Sequence, residues 1–209
     1  AHYVPPPPDE MLQALYDWET FANVRDTLPD LIQCAQLHVQ FEAIHPFLDG
    51  NGRVGRLLIT LFLIERGRLS QPLLYLSAYV ERYRREYYEL LQGVHTACDW
   101  SAWMRFFLSG VTETGRAAVS QARKLLELRE EYREQLRDKP RALALLDALF
   151  LNPYTTIARA QTVLGVSHPV ARQTVLHMQQ RGVLVEITGR AWGRVFLAES
   201  ILRAIDPPA

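Results

Sequence analysis

The sequence predicts a mainly α protein, with a helical first part followed by a smaller α+β part. Three observations lead there. Apolar residues recur at helical spacing through most of the first 137 positions. The run Asp138-Lys139-Pro140 then breaks the pattern. Near the end, two short β-branched runs flank the turn Thr188-Gly189-Arg190.

The chain opens on Tyr3-Val4-Pro5-Pro6-Pro7-Pro8. Each proline lacks an N–H and biases its predecessor to extended geometry, so this stretch is a stiff polyproline connector. Asp9 is expected to cap the helix that follows, on which Met11, Leu12, Leu15, Trp18 and Phe21 fall at helical spacing. A second helix starts near Pro29 and turns Leu31, Ala35, Val39 and Ile44 inward. Pro46, Gly50 and Gly52 make residues 45–52 a loop. Helical periodicity returns at Val54 and runs to about Glu65, where Gly67 ends it. Further helices are expected at 77–92, 99–113 and 115–137. The last is dense in Glu, Arg and Lys and reads as a solvated helix joining two domains. Beyond the break, 142–149 is a short apolar helix and 156–164 a second, closed by Gly165. Ser167 caps a third, with Pro169 early enough to be tolerated. Residues 182–187 and 193–197 then form two strands. Three helices followed by a hairpin is the order of a winged helix. The domains expected are 1–115, a joining helix over 116–139, and 140–209.

Composition excludes several classes. A hydrophobic share of 48% and a charged share of 22% are those of an ordinary soluble globular protein. Lys+Arg and Asp+Glu both total 23, so net charge indicates neither a polyanionic partner nor a membrane surface. The balance is uneven: residues 1–118 carry 10 basic and 14 acidic side chains, and residues 140–209 carry 7 basic and 4 acidic. The two ends are thus suited to different tasks. Cys34 and Cys98 have no CxxC spacing and read as buried thiols in a reducing compartment. No leader pattern opens the chain, and the most apolar stretch, 57–64, is too short to span a bilayer and reads as a buried core helix. A cytoplasmic protein is expected.

The chemistry is concentrated in His45-Pro46-Phe47-Leu48-Asp49-Gly50-Asn51-Gly52-Arg53-Val54-Gly55-Arg56. Gly50-Asn51-Gly52 leads straight into a helix N-terminus, where unpaired N–H groups and the helix dipole favour an anion and glycines admit a phosphate closely. Arg53 and Arg56, three apart, can fork onto phosphate oxygens. Cations there oppose the dipole, a cost that makes sense when an anion binds between them. Asp49 offers a hard oxygen to Mg²⁺. Histidine is the side-chain type suited to taking a proton near neutrality, and His45 stands beside the loop. Together these residues propose base-activated phosphoryl or nucleotidyl transfer. His38, Glu42 and His45 also share a helical face, which leaves a metal site as a minor alternative.

These twelve residues match, position for position, the motif HPFx(D/E)GNGRxxR and so resemble the Fic family. The resemblance extends to Tyr3-Val4-Pro5-Pro6-Pro7, similar to the stretch after the family's substrate-docking flap, and to Phe41-Glu42-Ala43-Ile44, the usual run into the motif. It reaches on through 73–77, Tyr87-Tyr88-Glu89 and Trp103, Arg105, Phe106 and Phe107, so that about the first 115 residues are covered. Many members also carry a winged-helix tail. The resemblance implies a protein adenylyltransferase that moves AMP from ATP to a Tyr, Thr or Ser hydroxyl of a target protein and releases pyrophosphate. In it His45 would be the general base and Phe47 would pack beneath the loop. Asp49 would hold Mg²⁺, and Gly50, Asn51 and Gly52 would form the anion hole. Arg53 would contact the phosphates, and Arg56 would hold the γ-phosphate or pair with an inhibitory glutamate.

The family's inhibitory pattern (S/T)xxxE(G/N) has no match; in the nearest stretch, Ser77-Ala78-Tyr79-Val80-Glu81, Arg82 follows where Gly or Asn should stand. The resemblance also implies further helices and a hairpin ahead of Tyr3, and is compatible with a homodimer. An alternative reading is a DNA-binding regulator with a vestigial Fic domain, in which 167–182 reads the duplex. Arg172 supports it, but His168, Gln173, Gln179 and Gln180 give a thin basic footprint.

Overall fold

The computed structural model describes residues 4–205 and divides the chain into two compact units, Ala1–Ala118 and Val119–Ala209. His2 and Tyr3, the latter part of the polyproline opening, lie outside the described residues.

The first unit is helical. Helix α1 (Pro8–Asn23) begins one residue before Asp9, with Pro7 at the N-cap and no side-chain cap. Asp9 therefore sits in the first turn, where its charge favours the dipole, rather than capping the helix as expected. Helix α2 (Asp30–Ile44) buries Ala35, Val39 and Ile44, and α3 (Asn51–Glu65) starts three residues earlier than periodicity indicates. On α3, Ile59 and Leu63 are buried whereas Leu57 and Leu61 stand half exposed, so the apolar run has one buried face instead of being buried all round. The expected helix over 77–92 is two helices, α4 (Leu76–Arg82) and α5 (Arg84–Ala97), parted at Tyr83.

The expected helices 99–113 and 115–137 are one continuous helix, α6 (Trp100–Gln135). Gly110, Thr112, Thr114 and Gly115 suggest a break. However, the hydroxyls of Thr112 and Thr114 donate to the carbonyls of Leu108 and Gly110. Gly110 itself faces Tyr79, whose Cδ1 would stand only 2.6 Å from an added Cβ. The glycine serves close packing and does not end the helix.

Around Trp103, the first core gathers Tyr79, Tyr87, Phe106 and Phe107 with aliphatic residues of α2, α3 and α5. Trp18 Nε1 donates to the Leu37 carbonyl at 2.8 Å, and Trp103 Nε1 to that of Ala35 at 3.0 Å, which pins α2 from two sides. Cys34 is buried in this core, and burial pushes its thiol up to about 12. Cys98 is exposed, against expectation, because it occupies the left-handed C-cap of α5.

The second unit continues through α7 (Pro140–Leu151), β1 (Tyr154–Thr156), α8 (Ile157–Leu164), α9 (His168–Gln180), β2 (Val185–Glu186), β3 (Val195–Leu197) and α10 (Glu199–Ile205). The strands form an antiparallel sheet in the order β1-β3-β2. The three helices and the hairpin follow the predicted order; β1 and α10 are additional. Thr156 caps α8 by accepting from the Arg159 N–H at 3.1 Å, while Ser167 takes the N-cap position of α9 without a side-chain cap bond. The charged stretch expected to join two domains is the last part of α6. Its Tyr132, with Leu136 just beyond, is buried in the second unit's core, and Leu125 and Leu128 pack against that core. That stretch is thus one wall of the second unit.

Candidate functional site

The candidate site is built where α2 ends and α3 begins. His45 terminates α2 in the left-handed conformation, φ 50 and ψ 54, while its N–H still bonds to the Phe41 carbonyl at 3.0 Å. That geometry swings the exposed imidazole out of the helix, and its Nδ1 lies 3.3 Å from the Glu42 carbonyl. A carbonyl only accepts, so Nδ1 carries the proton and Nε2 is left with its lone pair outward.

Gly50 N-caps α3 at φ 87, which a side chain would resist. The Val54 N–H bonds to the Gly50 carbonyl at 3.0 Å and closes the first turn. The N–H groups of Asn51, Gly52 and Arg53 precede that bond and have no carbonyl of the helix to meet. These backbone groups are the ones the expected anion hole would use. The Asn51 side chain is instead buried and clamps the loop: its Oδ1 accepts from the Phe47 N–H at 2.8 Å, and its Nδ2 donates to the Phe47 carbonyl. Phe47 itself is half exposed, with its ring 6.4 Å from that of Phe41, so the amide clamp does the holding expected of the aromatic ring.

Asp49 and Arg53 lie at the rim, both exposed, and pair at 3.0 Å across one helical turn. Arg56 is half-buried, and its Nε donates to Ser77 Oγ at 3.1 Å. Its Nη1 would stand 3.1 Å from a Cβ added to Gly52, so the glycine gives the guanidinium room. His45, Asp49, Gly50, Asn51, Gly52, Arg53 and Arg56 are in this way all carried by one α2–loop–α3 segment.

Sequence reasoning missed what lies behind the loop. Glu42 is nine-tenths buried, and its Oε1 has no hydrogen-bond partner among the described residues. That oxygen would be 2.6 Å from a Cβ on Gly55 and 3.8 Å from one on Gly52. Burial raises the Glu42 carboxyl above its ordinary range, against the pull of Arg56 and His45. His38, one turn earlier, is buried, stacks on Trp103 and shares a 2.9 Å hydrogen bond with the Tyr87 hydroxyl. Burial holds its imidazole down to about 4 and pushes the Tyr87 phenol far up. Helical spacing from His45 back to Glu42 and His38 was the available signal; their partners on α3 and α5 were not readable from it. Among the described residues, no group of three or more His, Cys, Asp or Glu is arranged to hold a metal ion.

Residues 1–63 match the family model of the Fic/DOC family. Residues 1–63 thus resemble a Fic domain. Over 205 residues it is 26% identical to a probable protein adenylyltransferase of Aquifex aeolicus, a match covering 96% of this chain and 58% of that protein. It is 36% identical over 67 residues to the protein adenylyltransferase Fic of Drosophila yakuba, covering 31% of this chain and 14% of the relative. The chain thus spans little more than half of the first relative's length and a small part of the second's. A crystal structure of a Fic family protein from Desulfovibrio desulfuricans G20 has a similar fold, with a TM-score of 0.54 at 22% identity, covering 95% of this chain and 58% of the other. The mainly α Fic fold expected from the sequence is the fold observed. No helix among the described residues is long and apolar enough to cross a membrane.

Proposed function

We propose that this chain transfers AMP from ATP to a Tyr, Thr or Ser hydroxyl of a target protein. The observation that supports the reading is the contact of His45 Nδ1 with the Glu42 carbonyl. With Nδ1 donating to the Glu42 carbonyl, Nε2 is the atom that takes the proton of the incoming hydroxyl. The hydroxyl oxygen bonds to the α-phosphorus, the bond from that phosphorus to the bridging oxygen breaks, and pyrophosphate leaves. The N–H groups of Asn51, Gly52 and Arg53 receive the charge that develops on the α-phosphoryl oxygens. Arg53 meets the phosphates, and Arg56, one turn deeper, takes the γ-phosphate.

The donor set at the rim suits Mg²⁺, which is held by one or two carboxylates together with substrate phosphates. Asp49 is such a carboxylate, exposed and held by Arg53 through one oxygen. A Mg²⁺ held by Asp49 would supply positive charge to the phosphates. The curated relatives named protein adenylyltransferases support the same activity. The second unit, with three helices and a hairpin, reads as a winged helix attached to the catalytic part.

The test is incubation with an acceptor protein and ATP labelled at one phosphate. Label on the α-phosphate should move to the acceptor, and label on the γ-phosphate should not. Transfer of the γ label would make this a kinase and reverse the nucleotide's orientation in the site.

A further inference from the structure

The second unit contains a concavity unrelated to the chemistry above. A cavity of about 540 Å³ lies between the start of α7 and one face of α9. That volume falls within the roughly 300–1,000 Å³ of small-molecule sites. Lys139, Arg141 and Arg172 line it, together with His177, and no acidic residue does. None of those three cations forms an ion pair among the described residues, whereas Arg129, Arg133, Arg137 and Arg203 of the same unit all do.

Two further features lie beside the cavity. The lining residue His177 has its Nε2 buried without a hydrogen-bond partner among the described residues. Helix α7 opens with Lys139 at its N-cap, no side-chain cap and Pro140 in its first turn, so the N–H groups of Arg141 and Ala142 are unpaired there. Val170 and Leu176, both half-buried, give the opposite wall an apolar surface. Arg172, Gln173 and Gln180, among the residues that would read a duplex, are exposed and also line the concavity.

We infer that this cavity binds a small phosphorylated ligand of about nucleotide size. Its phosphate lies at the α7 N-terminus between Arg141 and Arg172, and its apolar body rests against Val170 and Leu176. The same phosphate chemistry is presented by a nucleic-acid backbone, so the experiment separates the two sources. The full chain, labelled with ¹⁵N, is titrated with inorganic phosphate, with AMP and with a short DNA duplex while the backbone amides are followed.

Saturable shifts of the Arg141 and Ala142 amides with phosphate, and tighter ones with AMP, are expected. Each is read separately from any movement at Gly50 to Arg53, so failure here is distinct from failure of the adenylyl-transfer reading. R141E/R172E should weaken AMP at the α7 amides by at least about tenfold while leaving the Gly50 to Arg53 response unchanged. Both positions are exposed, and the wild-type titration is decisive by itself. Absence of saturable shifts at Arg141 and Ala142 with phosphate and AMP overturns the inference. So does a response there to duplex alone.

Discussion

The two units fill their interiors differently. The first is built on rings, with Trp103, Tyr87 and Phe107 fully or nearly fully buried, and it also buries Gln33, His38 and Asn51. Arg66 is buried there too, and donates to the carbonyls of Ala22 and Val24. The second is largely aliphatic: Leu145, Leu146, Leu149, Val175, Met178, Leu184 and Ile201 surround a single buried phenylalanine, Phe196. Its buried polar residues, among those described, are only Thr155 and Thr174. Burying polar groups costs stability unless each is matched. The first unit accepts that cost behind the α2–loop–α3 segment, where polar side chains fix backbone groups in place. The second has no such constraint and buries hydrocarbon.

The comparison is sharpest for two substitutions with opposite signatures. His45→Ala removes an exposed base, so transfer of α-label should fall by about 10²- to 10⁴-fold, while thermal unfolding and ATP binding stay near wild type. A loss below about tenfold would take the base role from His45. Leu146→Ala, at a fully buried site in the second core, should cost about 2–5 kcal/mol. Denaturant unfolding followed by circular dichroism would show this, and an unchanged midpoint would mean that the aliphatic core is not what holds the second unit.

The buried His38 of the first unit should also give that unit an acid sensitivity. His38 is held down to about 4 from an ordinary 6.5, so the unfolded chain binds its proton first. Stability should be flat above about 6.5 and fall as pH drops towards 4, by roughly 3 kcal/mol at most. Glu42, raised by burial, acts in the opposite sense: its contribution is present at low pH and lost as pH rises through its folded value. The melting temperature of wild type and His38→Gln, followed from pH 7.5 to 4.5, isolates the histidine. An equal acid slope in both would assign the effect elsewhere.

A smaller pair probes packing within the first unit. Gly55→Ala would put a Cβ 2.6 Å from Glu42 Oε1 and 3.2 Å from Phe41 Cδ1, whereas Gly93→Ala on α5 meets nothing within 4 Å. The first should destabilise by about 1–3 kcal/mol, and the second should stabilise by about 0.5–1 kcal/mol through helix propensity. Thermal melts of the two variants check both signs.

Much of this was readable before any coordinates. The helices around the motif follow from apolar spacing, and the motif residues sit on one segment because they are contiguous in sequence. What stayed hidden depends on partners distant in the chain. Strand β1 is three residues whose partner, β3, lies some forty positions on. Nothing local marks Tyr154 to Thr156 as a strand. The continuity of α6 rests on Tyr79 filling the gap that Gly110 leaves, and the helix-poor composition there points the other way. In the site, the Arg56–Ser77 bond and the placement of Glu42 against Gly52 and Gly55 arise only when α4 and α2 meet α3. For Asn51 the clamp on the Phe47 backbone was not legible, since a motif gives position and not what each side-chain atom touches.

The Asn51 clamp bears on how the protein ages. Asn-Gly is the dipeptide most prone to spontaneous deamidation, because the glycine nitrogen easily attacks the side-chain carbonyl and closes a succinimide ring. Here both polar atoms of the Asn51 amide are engaged by the Phe47 backbone, which restricts the rotation that ring closure needs. The folded site thus protects its own weakest bond. A chain that has spent time unfolded would acquire aspartate or isoaspartate at this position. Such a side chain could no longer donate to Phe47 and would add a negative charge beside the N–H groups meant for phosphate. Refolded protein of that kind should transfer less label from ATP in the proposed reaction than protein that was never unfolded.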